Sequence, residues 1–431
     1  MKVPLLITAM VIGTAQAVFA GGIFMNSQQS AEYLRIFNRN AATDNADIAY
    51  YNMAGTTKLK DGHYLNISNM TFFQHATVKT HNNRIAGDRT YRSDNPFLLF
   101  PNAYYVYKKN DWALFVAYQT IGATAVRKWD DGLPSLDLIG VVLPQIGGRI
   151  SSKLEGTSAY YCLRVGGAKA LNDVFSVALS GRYVYTTQKV EGKVWGTNSY
   201  KPLIIDAEDE GEGVSFSVGI NISPTSKLNI GLTYEHFTPI EFETSVRSKD
   251  NEEELLGPLG QVVFKDGNKA NLDLPQMFRM GVSYMLTKRL RAEASFNIYF
   301  EDRVDFSYLG KGYKDDYENT YELGIGFEYT VSPKLKLSTG FLYTWIGQDE
   351  DSTTDTSIPG AHSDYITIAG GFQYEVLKNC LFNLGVCYCG FVDTYDNEDE
   401  MGGAADILSP GAYQEFNKQY IVVALGVEYR F

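Results

Sequence analysis

From residue 63 to the C-terminus, apolar and polar residues alternate in short stretches separated by turn-forming residues. The last stretch, 420–431, is the clearest. Ile421, Val423, Leu425, Val427, Tyr429 and Phe431 fall on one face, and Tyr420, Val422, Ala424, Gly426, Glu428 and Arg430 on the other. A period of two with one apolar face is a strand lying against lipid or a core. Leu335, Leu337, Thr339, Phe341, Tyr343 and Trp345 repeat the pattern against Lys336, Ser338, Gly340 and Leu342. About fourteen such segments can be marked: 63–79, 97–108, 111–122, 157–169, 173–194, 211–223, 226–246, 274–286, 288–306, 316–330, 334–347, 363–376, 379–393 and 418–431. Most are near the ~9–11 residues that a tilted strand needs to cross a bilayer.

The connections separate a membrane barrel from a soluble β-sandwich. Short turns such as Lys108-Lys109-Asn110-Asp111, Ala170-Leu171-Asn172-Asp173, Ser223-Pro224-Thr225-Ser226 and Leu377-Lys378-Asn379 alternate with long acidic or irregular loops. Short turns on one side and long loops on the other are the asymmetry of an outer-membrane barrel, which a sandwich has no reason to keep. The pattern predicts an all-β, membrane-spanning antiparallel β-barrel of about 14 strands over 56–431. An even strand number returns the C-terminus to the periplasmic side.

Two N-terminal stretches stand apart from the strands. Residues 1–20 hold a basic Lys2, an apolar run over 3–13 and small residues suited to cleavage after Ala17 or Ala20. They read as a secretory signal peptide, too short for a spanning helix. Residues 21–55 lack strand alternation and end on DNADIAYYNMAG, 44–55. Ile23, Phe24, Met25, Tyr33, Leu34, Ile36, Phe37, Tyr50 and Tyr51 make this stretch too apolar for a solvated periplasmic tail.

Composition agrees with a barrel. The chain carries 30 Tyr, 24 Phe and 40 Gly, as aromatic girdles and a tightly packed wall require. The formal net charge of −12 suggests no nucleic-acid partner. Acid concentrates in 206–212, 250–254, 349–355 and 393–400, which read as solvated loops between strands, near divalent cations at a lipopolysaccharide surface. Cys162, Cys380, Cys387 and Cys389 form no disulfide framework or metal set and read as inert. His63, His75, His81, His236 and His362 show no nucleophile–base spacing, so the reading is not an enzyme and needs no cofactor.

The chain resembles the FadL/OmpP1/TodX family of outer-membrane transporters for long-chain fatty acids and other hydrophobic compounds. Asn52-Met53-Ala54 stands where that family has an Asn-Pro-Ala turn closing an N-terminal hatch, although Met53 lacks the fixed φ of proline. Leu274-Pro275 opening a strand with downstream Gly281 and Tyr284 also matches, as does Ser223-Pro224 leading to Gly231 and Tyr234. The resemblance implies a helical plug, here residues 21–55, inside the lumen. It also implies gated diffusion with a lateral exit near an inward kink in the third strand, where Gly122 would permit one. The monomeric barrel would meet lipopolysaccharide and the barrel-assembly machinery in the outer membrane of a Gram-negative bacterium. A general diffusion porin and a shuttle component of protein secretion remain alternatives.

Candidate ligand-binding residues fall into three groups. Arg164, Arg182 and Arg279 alternate with outward residues and so face the lumen, where each suits a carboxylate or pairs with acids such as Glu293 and Glu301. Phe24 and Met25 offer apolar surface on the plug. Leu138, Val141 and Leu143, in the apolar external segment 133–146, suit first capture of ligand or a cap over the mouth.

Overall fold

The structure is a computed structural model that describes residues 30–82, 87–134, 136–137, 148–199, 201–248, 266–305, 318–347, 364–392, 399–400 and 413–431. Fourteen antiparallel strands form a closed barrel. β1 is Gly62–His81, and β2 comes in two pieces, Thr90–Ser93 and Pro96–Lys109. β3 is Trp112–Trp129, β4 Ile150–Ala170, β5 Phe175–Gly196 and β6 Leu203–Ile222. β7 (Leu228–Glu235 and Glu241–Val246) and β8 (Lys269–Asn271 and Gln276–Met285) are each interrupted once. β9 is Leu290–Phe300, β10 Thr320–Ser332 and β11 Leu335–Trp345. β12 is Tyr365–Leu377, β13 Cys380–Phe391 and β14 Tyr413–Arg430. Closure comes from β14 pairing back on β1, from Tyr64↔Arg430 to His81↔Tyr413. His63 N–H donates to the Phe431 carbonyl at 2.7 Å and Phe431 N–H returns a bond at 3.0 Å. A closed ladder leaves no strand edge for the bilayer to desolvate.

The outer face is what the alternation requires. On β14, Ile421, Leu425 and Val427 are 47%, 49% and 45% exposed, while Val422 and Ala424, which point inward, are at 1% and 0%. Leu114, Leu163, Val165, Leu179, Val218, Leu323 and Ile368 continue the apolar band around the barrel. Lipid, not water, is the solvent such a surface fits.

Strands β4, β5 and β6 run for 21, 22 and 20 residues, well beyond the bilayer. This corrects the reading of 206–212 as a loop, since these residues lie within β6. The acids alternate like any strand. Glu210 and Glu212 point outward and accept bonds from the Tyr185 and Tyr183 hydroxyls at 2.8 and 2.5 Å, while Glu208 pairs with Arg247. Charge marks the part of the strand above the lipid, not a break in the sheet. The acidic runs 250–254 and 349–355 and most of 393–400 lie outside the described residues.

One seam of the wall is incomplete. β2 and β3 pair from Lys109↔Trp112 only as far as Ala103↔Tyr118. Continued register would set Pro101 against Thr120, but proline has no N–H to give. Thr120 N–H bonds instead to the Asn102 side-chain oxygen at 3.1 Å, and its hydroxyl to the Pro101 carbonyl at 2.9 Å. Beyond this point Gln119, Thr120 and Ile121 are all buried in succession, and the β3–β4 register shifts between Ile121 and Ala125, across Gly122. On the β2 side, Leu98 and Leu99 are both exposed, so that strand swings outward as β3 turns in. The seam rejoins above, where Asn95 donates to the Lys128 carbonyl at 3.3 Å and Gln74 to that of Val126. Between these points no ladder pairing joins β2 to β3 among the described residues, and this gap in the ladder is called the window below.

Residues 30–59 fill the barrel's interior. Helix α1, Ala31–Leu34, is capped by Ser30, whose hydroxyl oxygen accepts Tyr33 N–H at 3.0 Å. Helix α2, Ile48–Tyr51, leads into a 3₁₀ turn over Met53–Lys58. Helices of a single turn are not stable alone; these are held by burial. Tyr33 stacks on Tyr51 with centroids 4.9 Å apart, and Phe37 and Tyr50 pack edge-on against them. The plug backbone rides directly on wall glycines: a Cβ at Gly340 would sit 1.8 Å from the Ile36 carbonyl oxygen, and one at Gly231 1.9 Å from that of Asn40.

Candidate functional site

The three arginines that alternation sends inward converge on one carboxylate, Glu235, at the end of the first piece of β7. Arg164 Nη2 lies 2.5 Å from Glu235 Oε2, Arg182 pairs with Oε1, and Arg279 Nη2 stands 3.7 Å from Oε2. They reach it from β4, β5 and β8. Their remaining donors are spent nearby: Arg164 on Ser217 and Ser180 at 2.7 and 3.2 Å, Arg182 on Ser215 at 3.0 Å and on Thr238. Glu293 and Glu301, which the sequence offered as partners, sit elsewhere. Glu293 pairs with Arg291 at 2.5 Å and Glu301 accepts from Thr320 at 2.7 Å.

This cluster grips the plug. Arg279 donates to the Tyr50 carbonyl at 3.0 Å and lies over its ring at 4.1 Å, while Arg164 faces the same ring at 5.3 Å. Three guanidiniums on one carboxylate leave a net charge of about +2 in a buried place, so the cluster is cationic as well as structural. The predicted hatch turn adjoins it. Asn52 caps the 3₁₀ turn by accepting Gly55 N–H at 3.2 Å, and its amide donates to the Ala42 carbonyl and to Asn221 at 3.0 and 2.7 Å. The Met53 sulfur lies 3.7 Å from Arg164 and 3.1 Å from the Ser180 hydroxyl; Ala54 is fully buried. A methionine thus fills space beside the arginines that a proline ring would not reach.

Further anchors tie the plug to the wall. Arg35 pairs with Glu328 at 2.5 Å, Ala41 N–H bonds Glu293 at 2.8 Å and Ala46 N–H bonds Glu428 at 2.6 Å. Within the plug, Arg39 holds Asp44 and Asp47 at 2.7 and 2.5 Å. Glu32 accepts from Asn66 and Asn383 at 2.6 and 2.7 Å. Burial, then the neighbouring charges of Asp47 and Glu428, push its carboxyl up to about 8. It is therefore held protonated at neutral pH.

Above the plug, Ile121, Tyr160, Cys162, Val184, Ile240, Phe242, Leu272 and Leu274 line the inner wall with apolar surface. Nearer the external mouth, Leu133 and Leu136 pack on Trp129, Val190 and Leu203. Asp137 is tied beneath them to Ser152 and Tyr91 at 2.6 and 2.8 Å. The start of the external segment thus packs onto the barrel mouth, while Leu138, Val141 and Leu143 lie outside the described residues, as do Phe24 and Met25. All four cysteines are free thiols.

Sequence reasoning missed Glu235 and Tyr50 as members of the site. Glu235 shares pleat parity with Thr233 and so was placeable inside. Nothing in the spacing, however, showed that strands β4, β5, β7 and β8 bring their charges to one height. Also missed were Phe72, Phe97 and Phe100, which cluster beside the window with centroids 5.3–6.5 Å apart.

Comparison with known proteins agrees with this architecture. A Pseudomonas aeruginosa FadL homologue superposes with a TM-score of 0.64 at 13% identity, covering 94% of this chain and 98% of that one. The toluene transporter TodX of Pseudomonas putida gives 0.62 at 13% identity, over 95% and 100% of the two chains. The toluene transporter TbuX of Ralstonia pickettii gives 0.60 at 13% identity, again over 95% and 100%. At such identity these likenesses speak for the fold alone. No curated protein matches the sequence. The family model described as outer membrane protein transport protein (OMPP1/FadL/TodX) matches residues 11–431, and the chain belongs to that family of the outer membrane.

Proposed function

We infer that the protein conducts hydrophobic small molecules across the outer membrane by gated diffusion through the plugged barrel, and releases them sideways through the window between β2 and β3. The observation that carries this reading is the pairing of a filled lumen with an interrupted wall. A general porin needs the reverse: an open polar lumen and an intact ladder. Ligand would be captured at the external mouth, in part by 133–146 with Leu138, Val141 and Leu143, and would descend along the apolar inner wall. Phe24 and Met25 would add apolar surface from the plug. The Arg164–Arg182–Arg279 cluster would form the floor of this path, latching Tyr50 and repelling cations. Transport of this kind consumes no cofactor, and the working unit is a monomer delivered by the barrel-assembly machinery into a lipopolysaccharide-bearing membrane.

The test closes the window. Asn102→Cys with Gln119→Cys, oxidised to a disulfide across the seam, should abolish delivery of a fluorescent hydrophobic probe into the lipid of proteoliposomes, and reductant should restore it. Delivery that persists with the disulfide formed would remove lateral release and favour a route past the plug.

A further inference from the structure

The barrel end that carries the short turns holds a cavity of about 360 Å³. The plug lines one side of it through Thr43, Asp44 and Lys58, and strands β7 to β11 with the β6–β7 and β8–β9 turns line the other. Its charge is lopsided. Lys58, Lys227, Arg289, Arg291 and Lys336 face two carboxylates, Asp44 and Glu328, in a chain whose formal net charge is −12. Both carboxylates are already shared: Arg39 holds Asp44 at 2.7 Å, Arg35 holds Glu328 at 2.5 Å, and Lys336 reaches the two at 3.6 and 3.2 Å. Arg291 takes Glu293 at 2.5 Å and stands 3.6 Å from Glu328, yet its Nη2 is buried without a hydrogen-bond partner. Lys58 donates to the Asp173 main-chain carbonyl at 2.7 Å, and Lys227 and Arg289 form no ion pair among the described residues. A buried donor and three spare cations around one cavity call for an anion from outside the chain.

The geometry of the rim says what kind. Thr225 Oγ1 accepts the N–H groups of Lys227 and Leu228 at 3.2 and 3.1 Å, and Thr287 Oγ1 accepts those of Arg289 and Leu290 at 3.1 and 3.0 Å. Two turns tied to their own hydroxyls thus present Lys227 and Arg289 from fixed stems. These residues lead into β7 and β9, which flank β8, so their stems stand ~10 Å apart at the ordinary strand spacing. One anionic group cannot meet both, whereas a molecule carrying two can. Charge narrows the class further. Two carboxylates would bring −2, but two phosphates at about −1.5 to −2 each match the three spare cations. Between the rim cations, Asn229 fixes the cavity to the plug, donating to the Ala41 carbonyl at 2.8 Å and accepting from Ser223 at 2.6 Å.

We propose that this cavity binds a small bisphosphorylated molecule from the periplasm, with Lys227 on one phosphate and Arg289 and Arg291 on the other. The site is separate from the path of apolar molecules and does not depend on it. Because plug and wall build the cavity together, it exists only while the plug is seated. A ligand that binds one of two states shifts the population toward that state. Occupancy from the periplasmic side therefore holds the plug in place.

The experiment titrates the intact purified protein with fructose 1,6-bisphosphate, fructose 6-phosphate and glutarate by calorimetry at one ionic strength. The bisphosphate should bind more tightly than either of the others, by on the order of 10- to 100-fold, the range of an added charge-assisted hydrogen bond. Lys227→Gln and Arg289→Gln should each bring the bisphosphate close to the monophosphate. Lys109→Gln, an exposed lysine on another short turn, should leave the ratio unchanged. Hydrogen exchange read by mass spectrometry should show the bisphosphate slowing exchange in residues 41–58. A wild-type ratio near one, glutarate binding as well as the bisphosphate, or a ratio that survives both rim substitutions overturns the proposal, as does a ratio lowered equally by Lys109→Gln. Unchanged exchange in the plug overturns its coupling to the seated state. The wild-type ratio decides the matter even if a variant does not assemble, which a heat-modifiable gel shift reports.

Discussion

Replacing Glu235 by Gln removes one charge and leaves three guanidiniums facing one another in a buried space. Arg164 and Arg182 have fully buried side chains and that of Arg279 is 3% exposed, so water cannot screen what remains. Two like charges ~4 Å apart repel by about 4 kcal/mol at an effective dielectric of ~20, and breaking a buried ion pair typically costs about 3–5 kcal/mol. The barrel itself should stand, because the ladders from β4 to β8 do not pass through this carboxylate. The strain falls on what the arginines hold, which is Tyr50, gripped by Arg279 at 3.0 Å on its carbonyl and 4.1 Å over its ring. Glu235→Gln should therefore assemble and insert, yet show intermittent ion conductance in planar bilayers where the wild type stays closed. Adding Arg182→Met should restore quiet behaviour by removing the excess charge, a coupling that a double-mutant cycle reads directly. If Glu235→Gln is as closed as wild type and its barrel unfolds at the same temperature, the cluster is not the latch described here.

Four further outcomes are expected. Gly340→Ala sets a methyl group 1.8 Å from the Ile36 carbonyl oxygen, so the plug must shift, at about 1–3 kcal/mol for such overpacking; raised antibiotic entry in whole cells measures it. Pro101→Val supplies the missing N–H opposite Thr120 and should narrow the window, lowering probe delivery into proteoliposome lipid without opening the pore. Deleting 21–50 should leave an assembled barrel that conducts ions and admits small hydrophilic antibiotics, since the strands close their own hydrogen bonds. For Glu32, whose carboxyl is raised from 4.5 to about 8 in the seated plug, the seated form holds the proton more tightly than a plug released to water. That stabilisation is fully present below about 4.5 and is lost as pH rises through about 8, so conductance should grow over this window and Glu32→Gln should flatten it.

The barrel was legible because its code is local. Alternation reports which face meets lipid, and short turns against long loops report which end is which; neither needs the partner strand. Residues 206–212 misled for an instructive reason. A run of acid reads as a loop, but in a barrel whose strands outrun the bilayer, charge marks height above the lipid and Glu208, Glu210 and Glu212 are ordinary outward positions of β6. The arginines were legible singly and not as a cluster. Inward direction follows from parity within one strand, whereas convergence on Glu235 depends on the stagger between β4, β5, β7 and β8, which no single segment carries. The window was half legible. Gly122 permits a kink, yet the decisive residue is Pro101 on the opposite strand, where the lack of one donor ends the ladder.

The plug and the window make sense only together. A barrel wide enough for fourteen strands would leak ions unless its lumen were filled, and a plug held by buried anchors such as Arg35–Glu328 and Arg39–Asp47 obstructs the aqueous route. An apolar molecule gains nothing from that route in any case, since its destination is lipid. Letting it out through the wall requires a break in the strand ladder, which in hydrocarbon is unfavourable unless every freed backbone group finds a partner. Here the partners are side chains: Asn102 and Thr120 on the seam, Asn69 accepting Phe100 N–H at 2.9 Å, and Asn69 and Thr71 both donating to the Leu98 carbonyl at 3.0 Å. A ladder bond can be broken only by moving a strand, whereas these bonds can be exchanged one at a time as a tail slides past. Under the proposed lateral release, a seam held in this way would stay satisfied while it opened, which is the physical property that such release demands.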